Sequence, residues 1–142
     1  MTLPDINILV YAFDTSATQH ELCRNWLDET VNASEPFGLS SIVLSGCIRI
    51  VSHPKILNKP ASTAAAVSFC ESLLERPNCV LVNPGMEHFQ LFARLCRGID
   101  AKGSDVTDAY LAALAIEHDC EFITADKGFK RFSGLRWRHP LS

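Results

Sequence analysis

The chain lacks any apolar run that approaches the roughly 20 residues needed to cross a bilayer. Its N-terminus also lacks the basic segment followed by an apolar one that marks a signal peptide. We therefore expect a soluble, cytoplasmic protein with no membrane association. With 142 residues, 47% of them hydrophobic, the chain is expected to fold as one domain over residues 1–142.

Several familiar catalytic and metal-binding motifs are missing. There is no G-x-S-x-G elbow, no P-loop, no C-x-x-C pair and no H-x-x-x-H pair. These absences argue against a serine hydrolase, a phosphate-binding loop and a zinc finger. The six cysteines mostly lie in apolar stretches, so we expect reduced core thiols.

Acidic residues are absent from the end of the chain. The formal net charge is −3, yet no Asp or Glu follows Asp126. The basic residues after it are Lys127, Lys130, Arg131, Arg136 and Arg138. A basic segment of this kind attracts anionic partners such as RNA, although a solvated terminal surface has the same composition.

Strand-like and helix-like segments alternate, which predicts an α/β domain with a mostly parallel sheet. Strands are expected at residues 3–5, 37–40, 79–82, 121–124 and 135–137, and helices at 16–31, 41–53, 60–76, 85–97 and 106–118. In the helix at 85–97, Phe89 and Phe92 are expected to face inward, and Gly98 to end it. Pro60 suits the first turn of its helix.

Three aspartates are predicted to meet at one edge of this sheet. Asp5 ends the first strand, Asp126 follows the strand EFIT, and Asp108 lies in the first turn of the preceding helix. Ligands of open α/β sheets collect beyond the carboxyl ends of the strands. Each aspartate alone is an ordinary turn or helix-start residue. Together, three carboxylates repel one another unless a cation lies among them, and Mg²⁺ or Mn²⁺ suits such oxygen ligands.

Four segments carry a resemblance to a known family. They are LPDINILVYAFD, LSSIVLSGCIRIVSHP, VTDAYLAALAIEHDCEFITADKGFKRF and GLRWRHPL. The chain resembles PIN-domain ribonucleases, in particular the VapC-type toxins of bacterial toxin–antitoxin pairs, over nearly its whole length. The D-x-N opening is weak alone, but DAYLAALA and T-A-D-x-x-F follow it in the expected order.

The resemblance implies a PIN-like fold, with helices on both faces of the sheet and an acidic site for Mg²⁺ or Mn²⁺. It assigns catalytic and metal-binding roles to Asp5, Asp108 and Asp126, and supporting roles to Asn7 and Thr124. It also implies that part of ILVYAF is helical, which periodicity leaves open.

The function implied is that of a metal-dependent endoribonuclease that cleaves structured RNA, of the tRNA class, and so inhibits translation and growth. The implied partners are RNA, a VapB-type antitoxin and a second copy of the chain, in a homodimer and a toxin–antitoxin hetero-oligomer. Under this hypothesis Lys127 and Arg131 are the preferred RNA contacts, because they lie nearest Asp126 in sequence.

One position departs from the family pattern, since Gly46 stands where the central helix usually supplies a Glu. Either a neighbour packs too closely for a Cβ, or the site has exchanged a carboxylate for open space. In the second case Asp105, three residues before Asp108, compensates in part, and one divalent ion is expected.

The departure leaves a second function open, a catalytically weak module that binds RNA or the antitoxin. Two other acidic sites are disfavoured. A receiver-like phospho-acceptor needs an aspartate at a mid-chain strand end, and the chain has none between Asp28 and Asp100. A D-x-D phosphatase is disfavoured because the opening reads D-x-N.

Overall fold

The computed structural model describes residues 1–141. In chain order its elements are β1 (Thr2–Pro4), α1 (Ile6–Phe13), α2 (His20–Asn32), β2 (Phe37–Leu39), α3 (Ser41–Val51), α4 (Thr63–Leu74), β3 (Cys79–Leu81), α5 (His88–Ile99), α6 (Ser104–Glu117), β4 (Glu121–Ile123), a 3₁₀ helix (Lys127–Arg131) and β5 (Trp137–Arg138). No helix within these residues has the length and hydropathy of a bilayer span.

The five strands form one parallel sheet in the order β3-β2-β1-β4-β5. The predicted α/β class and parallel sheet are confirmed. β1 is central, and its register pairs Pro4 with Ile123 of β4. The next residue, Asp5, donates its backbone N–H to the Ile123 carbonyl at 2.8 Å. The carboxyl ends of β1 and β4 therefore lie side by side.

The apolar run after Asp5 is entirely helical. Asp5 is the N-cap of α1, because its side chain accepts a hydrogen bond from the backbone N–H of Ile6 at 2.7 Å. Ile8, Leu9 and Ala12 of α1 are fully buried. The chain thus passes from the central strand into a buried helix within one residue, and the expected helical turn is a helix of eight residues.

Four predicted helix starts differ from the structure, since α5 begins at His88 rather than at residue 85, α6 at Ser104 rather than at residue 106, and α2 and α4 later than expected. α2 begins at His20 rather than at residue 16, because the Asp14 carboxylate accepts hydrogen bonds from the N–H and hydroxyl of Ser16 and forms a separate turn. α4 begins at Thr63, after the Ser62 hydroxyl that accepts the N–H of Ala65. Pro60 therefore lies outside the helix rather than in its first turn.

The predictions for α5 fail at both ends. Gly98 does not end the helix, which continues to Ile99 and stops where Asp100 takes a left-handed conformation with φ of 51°. Phe89 is 72% exposed rather than inward, since His88 and Leu95 supply the buried face. Phe92 is partly buried and packs against the core as expected.

The cysteines are all free thiols. Four of them are buried, namely Cys23, Cys47, Cys70 and Cys120, and Cys79 and Cys96 are partly buried. Burial raises the pKa of Cys23 to about 11, so this thiol stays protonated and inert at neutral pH. The prediction of reduced thiols within the core is confirmed for these four.

Candidate active site

Asp5 is a buried carboxylate at the carboxyl end of the central strand. Its residue surface is 6% exposed, one oxygen accepts the Ile6 N–H, and the other accepts the Thr124 hydroxyl at 2.7 Å. Burial raises the pKa of Asp5 to about 6 despite these two hydrogen bonds. The negative charges of Asp108 and Asp126 contribute to the increase. The site therefore disfavours a third negative charge unless a cation is near.

Thr124 links the two strands at this edge. It is fully buried, and besides donating to Asp5 it accepts the backbone N–H of Asp126 at 3.0 Å. Asn7 lies beside it, with its side-chain nitrogen 3.5 Å from the Thr124 oxygen, and accepts the N–H of Ala125 at 3.3 Å. Asn7 and Thr124 therefore hold residues 124–126 against the start of α1, which is a placement suited to their predicted supporting role.

Asp126 is exposed at the rim of the site. Its side chain caps the 3₁₀ helix by accepting the N–H of Gly128 at 2.8 Å. This capping contact fixes the start of the 3₁₀ helix and of the basic segment. Lys127, the next residue, is exposed.

Asp108 projects from α6. The helix begins at Ser104, so Asp108 lies in its second turn and not in its first as predicted. Burial raises the pKa of Asp108, as do the charges of Asp126 and Asp105, whereas the guanidinium of Arg131 acts in the opposite direction. Arg131 Nη2 lies 3.0 Å from an oxygen of Asp108 and 3.1 Å from an oxygen of Asp105. Asp105 and Asp108 thus share a face, as expected, and their common neighbour is an arginine.

The three predicted aspartates line one cleft of about 400 Å³. Across from them the wall is apolar, with Val10 and Tyr11 of α1, Ile50 of α3, and Ile56 and Leu57 of the following loop. Asp14, at the end of α1, also lines the cleft, which therefore combines four carboxylates with a surface that suits apolar groups. A larger hollow, of about 710 Å³, lies at the opposite edge beside Thr2 and Glu121, where Glu121 is paired with Arg138.

The donor set in the cleft fits a hard divalent cation in its chemistry, because all three side chains offer carboxylate oxygens and their charges repel one another. Within residues 1–141, however, no three His, Cys, Asp or Glu side chains are placed closely enough to hold an ion jointly. Asp108 is turned toward Arg131 instead. Binding an ion through all three aspartates therefore requires side-chain movement, and Asp108 is the clearest candidate.

Gly46 is buried in α3 against the first turn of α1. A Cβ at this position would lie 2.7 Å from Cδ1 and 3.2 Å from Cγ1 of Ile6. The structure favours close packing over open space, because Ile6 fills the space beside Gly46, and a Cβ there requires the Ile6 side chain to move. No local pattern predicted this contact, since Ile6 is the unspecified residue of D-x-N.

The two predicted RNA contacts differ in their surroundings. Lys127 is exposed, and among residues 1–141 it makes no ion pair. Arg131 is paired with Asp108 of the cleft and with Asp105. RNA contact by either residue stays a prediction. The apolar wall of Tyr11, Ile50 and Leu57 was also missed, because these residues read as ordinary core positions.

Comparisons with known proteins identify the family of this chain. The profile of the PIN domain family matches residues 2–135. Ribonuclease VapC43 of Mycobacterium tuberculosis is 40% identical over 141 residues, which cover 99% of this chain and 96% of that protein. Ribonuclease VapC33 of the same species is 36% identical and covers 99% of both chains.

Solved structures share the fold at lower identity. VapBC2 from Rickettsia felis, bound to a DNA fragment from its promoter, matches with a TM-score of 0.73 at 20% identity over 97% of both chains. FitAcB from Neisseria gonorrhoeae matches with a TM-score of 0.70 at 20% identity over 99% of both chains. The chain has the central parallel sheet and the acids at its carboxyl edge, and its relatives are of near-equal length. It therefore belongs to the PIN domain family and, within it, to the VapC ribonucleases.

Proposed function

We propose that this chain is the toxin of a VapBC-type toxin–antitoxin pair and cleaves RNA with the help of Mg²⁺ or Mn²⁺. The observation that carries the proposal is that Asp5, Asp108 and Asp126, which are far apart in sequence, line one cleft. The ribonuclease relatives support the reaction class. We also propose a cytoplasmic location, where such an RNA substrate is found.

Each aspartate has a different part in this proposal. Asp5 is held rigidly by Thr124 and by the Ile6 N–H, so it is the fixed ligand. Asp108 becomes a ligand when it turns from Arg131. Asp126 is the most exposed of the three and holds the ion or orients the attacking water. A bound divalent ion activates water and stabilises the charge that develops on the phosphate.

The bond changes follow from attack by water on a backbone phosphate. The water oxygen bonds to phosphorus, the bond from phosphorus to the 3′ oxygen breaks, and a proton passes to that oxygen. The products carry a 5′-phosphate and a 3′-hydroxyl. Structured RNA, with tRNA as the first class to test, is the proposed substrate, and the basic residues that follow Asp126 support an anionic ligand at this rim.

The cleft also suits an inhibiting partner. An antitoxin segment with a cationic side chain flanked by apolar residues matches the carboxylates on one side and the apolar wall on the other. VapBC2 and FitAcB, whose fold this chain shares, are toxin–antitoxin complexes. We therefore propose a VapB-type antitoxin as the partner, in a hetero-oligomer built on a homodimer of this chain.

The test is RNA cleavage by the wild type and by Asn variants at positions 5, 108 and 126, each with Mg²⁺, Mn²⁺ or EDTA. Each variant keeps the side-chain shape and removes one charge, so we expect folded proteins whose activity falls toward the level in EDTA. The matched control is Asp28→Asn, an exposed carboxylate paired with Arg24 on α2. Cleavage that persists in EDTA, or in all three variants, would contradict the mechanism.

The alternative of a catalytically weak binding module is favoured by one observation, the filling of the space beside Gly46 by Ile6. With Ile6 in this position, the space that the family's carboxylate usually takes is occupied. The two functions differ in a simple assay. A binding module retains RNA or the antitoxin but leaves RNA intact with either metal, whereas the toxin cleaves it.

A further inference from the structure

Arg131 is the last residue of the 3₁₀ helix that begins beside Asp126, and its side chain returns to the acidic cleft. Its Nη2 lies 3.1 Å from Asp105 and 3.0 Å from Asp108. The same guanidinium donates from Nη1 to the Gly128 carbonyl at 2.6 Å and lies 4.5 Å from the centroid of the Phe132 ring.

These contacts hold the guanidinium in place. The Arg131 side chain is 29% exposed and that of Asp108 27% exposed, so the pair is partly shielded from water. Phe132 is buried and supports one face of the guanidinium, while the Gly128 carbonyl fixes one nitrogen. A charge-assisted contact that is anchored in this way is stronger than a mobile surface ion pair.

The position of Arg131 has a consequence for any cation that enters the cleft. Asp108 lines the cleft together with Asp5 and Asp126, yet one of its oxygens is engaged by Arg131. A divalent ion bound to Asp108 would meet the positive guanidinium at close range, and the two like charges repel each other. Asp108 therefore pairs with Arg131 or binds the ion, and doing both at once adds little stabilisation because the two cations repel each other.

We propose that Arg131 is an internal counter-cation of the active-site cleft, which pairs with Asp105 and Asp108 and competes with the divalent ion for Asp108. Arg131 thereby lowers the metal affinity of the toxin and stabilises the fold when no ion is bound. This inference rests on the proposed metal-dependent function. It also gives Asp105 a role different from metal binding, since Asp105 is the second anchor of the guanidinium.

A positioning role for Arg131 predicts the opposite change in metal affinity. If Arg131 orients Asp108 for the ion, removing the guanidinium weakens metal binding. If it competes with the ion, removing it strengthens metal binding and destabilises the metal-free protein. The sign of the change in affinity separates the two roles.

The experiment measures Mn²⁺ binding by calorimetry, and melting temperature in EDTA, for the full chain and for Arg131→Gln. We expect the variant to bind Mn²⁺ more tightly on the order of tenfold, the factor expected for one charge-assisted hydrogen bond. Compared with the wild type, we also expect the variant to have a lower melting temperature in EDTA and a larger increase in melting temperature when Mn²⁺ is added. Weaker or unchanged Mn²⁺ binding by the folded variant would overturn the proposal.

Two further variants keep the test decisive. Arg131→Lys keeps a positive charge but loses the fork that reaches two carboxylates, so its Mn²⁺ affinity is expected between those of the wild type and Arg131→Gln. If Arg131→Gln fails to fold, unchanged or weaker binding by Arg131→Lys overturns the proposal. Arg24→Gln removes an exposed guanidinium from an ion pair on α2 and is expected to leave Mn²⁺ affinity unchanged.

The wild type separates this inference from the proposed function. If the wild type, Arg131→Gln and Arg131→Lys all fail to bind Mn²⁺, the proposed metal site fails and the inference fails with it. If the wild type binds Mn²⁺ and the two Arg131 variants bind it no more tightly, the metal site stands and Arg131 is not a competitor.

Discussion

Asp5 follows the central strand, and its side chain both caps α1 and faces the cleft. The Ile6 N–H and the Thr124 hydroxyl both donate to its oxygens, so the carboxylate is held in one orientation. Burial nevertheless raises its pKa from 3.8 to about 6. The residue that is best positioned to bind a cation is therefore also costly to ionise when no cation is present.

The first prediction concerns pH. Between pH 3.8 and about 6 the folded protein binds more protons at Asp5 than the unfolded chain does, so the free energy of unfolding in EDTA falls as pH rises. The full effect is on the order of 3 kcal/mol. Asp5→Asn lacks this dependence, so its stability relative to the wild type should increase between pH 4 and 7. Urea unfolding of both proteins measures the difference, and a constant difference would contradict the prediction.

The same proton competes with the metal. Below about pH 6, Mn²⁺ affinity of the wild type should decrease by up to tenfold per pH unit, because binding must displace the proton from Asp5. Calorimetric titration at pH 5, 6 and 7.5 measures this dependence. An affinity that does not change over this range would show that Asp5 is not a ligand.

The second prediction concerns Gly46. Gly46→Glu places a Cβ 2.7 Å from Cδ1 of Ile6 and buries a charge, so we expect a loss of about 1–3 kcal/mol in stability. Adding Ile6→Ala removes the close contact, and the double variant should recover part of this loss and bind Mn²⁺ more tightly than Ile6→Ala alone.

The matched control for Gly46 is Gly98→Glu. Gly98 is also helical, but no atom lies within 4 Å of an added Cβ. This substitution should be neutral or stabilising by up to about 1 kcal/mol, the usual gain over glycine in a helix. If Gly46→Glu is as stable as Gly98→Glu, Ile6 yields easily and the packing explanation fails.

Among the elements, the 3₁₀ helix Lys127–Arg131 is the one that connects the acids to the basic segment. Asp126 caps its start, and Arg131 at its end returns to α6. Lys127 and Lys130 are exposed on it. The two exposed lysines are therefore better placed than Arg131 to contact RNA at the rim of the cleft.

The third prediction is that Lys127→Gln with Lys130→Gln weakens RNA binding and reduces its salt dependence. Each lost phosphate contact should reduce the slope of log K against log salt by about 0.7–0.9. Binding is measured in EDTA with Asp5→Asn as the background, so that the RNA stays intact. Arg24→Gln with Arg136→Gln changes the net charge equally at two exposed ion pairs, the second beside the hollow at the opposite edge of the sheet, and serves as the control. Equal slopes in the two double variants would assign the lysines to a solvated surface.

The elements that the sequence predicted well are those with strong local signals. The parallel strands and the helix that carries Asp108 follow from runs of apolar residues, and the meeting of the three aspartates follows from the geometry of a parallel sheet. Pro60 and Gly98 misled the prediction, because the Ser62 cap and the left-handed Asp100 determine those helix boundaries. Local propensity gives several acceptable boundaries and the capping interactions select one.

The site details that the sequence did not predict depend on contacts across the chain. Arg131 meets Asp108 across 23 residues, and Gly46 meets Ile6 between two helices. Neither contact produces a periodic pattern in the sequence from which it could be predicted. The basic segment was visible in the sequence, but the direction in which Arg131 points depends on the packing of Phe132 beneath its guanidinium.

The whole molecule presents its acids and its apolar wall at one edge of the sheet. Five parallel strands bring all carboxyl ends to that edge, and the loop after α3 closes one side with Ile56 and Leu57. A partner that covers this edge blocks the acidic cleft and buries the exposed Ile56 side chain at the same time. Inhibition and recognition of an antitoxin can therefore use one surface.

The fourth prediction concerns that partner. Co-expression with the cognate antitoxin should give a hetero-oligomer on sizing, and the chain alone should give a dimer and stop growth. Ile56→Ser, at a cleft residue that is 51% exposed, should weaken the complex several-fold by reducing apolar burial. Leu74→Ser, at a 40% exposed residue outside the cleft, is the control. A strict monomer with no copurifying partner and no toxicity would contradict the assignment.

The hydrogen bond between Thr124 and Asp5 joins residues that are 119 positions apart. Asp5 is therefore translated well before Thr124, Asp126 and Arg131. Because β4 must pair with β1 before these side chains meet, a nascent chain has no assembled cleft. A fragment that ends before β4 therefore lacks the assembled cleft, and RNA cleavage is expected only of chains that extend through β4 and Asp126.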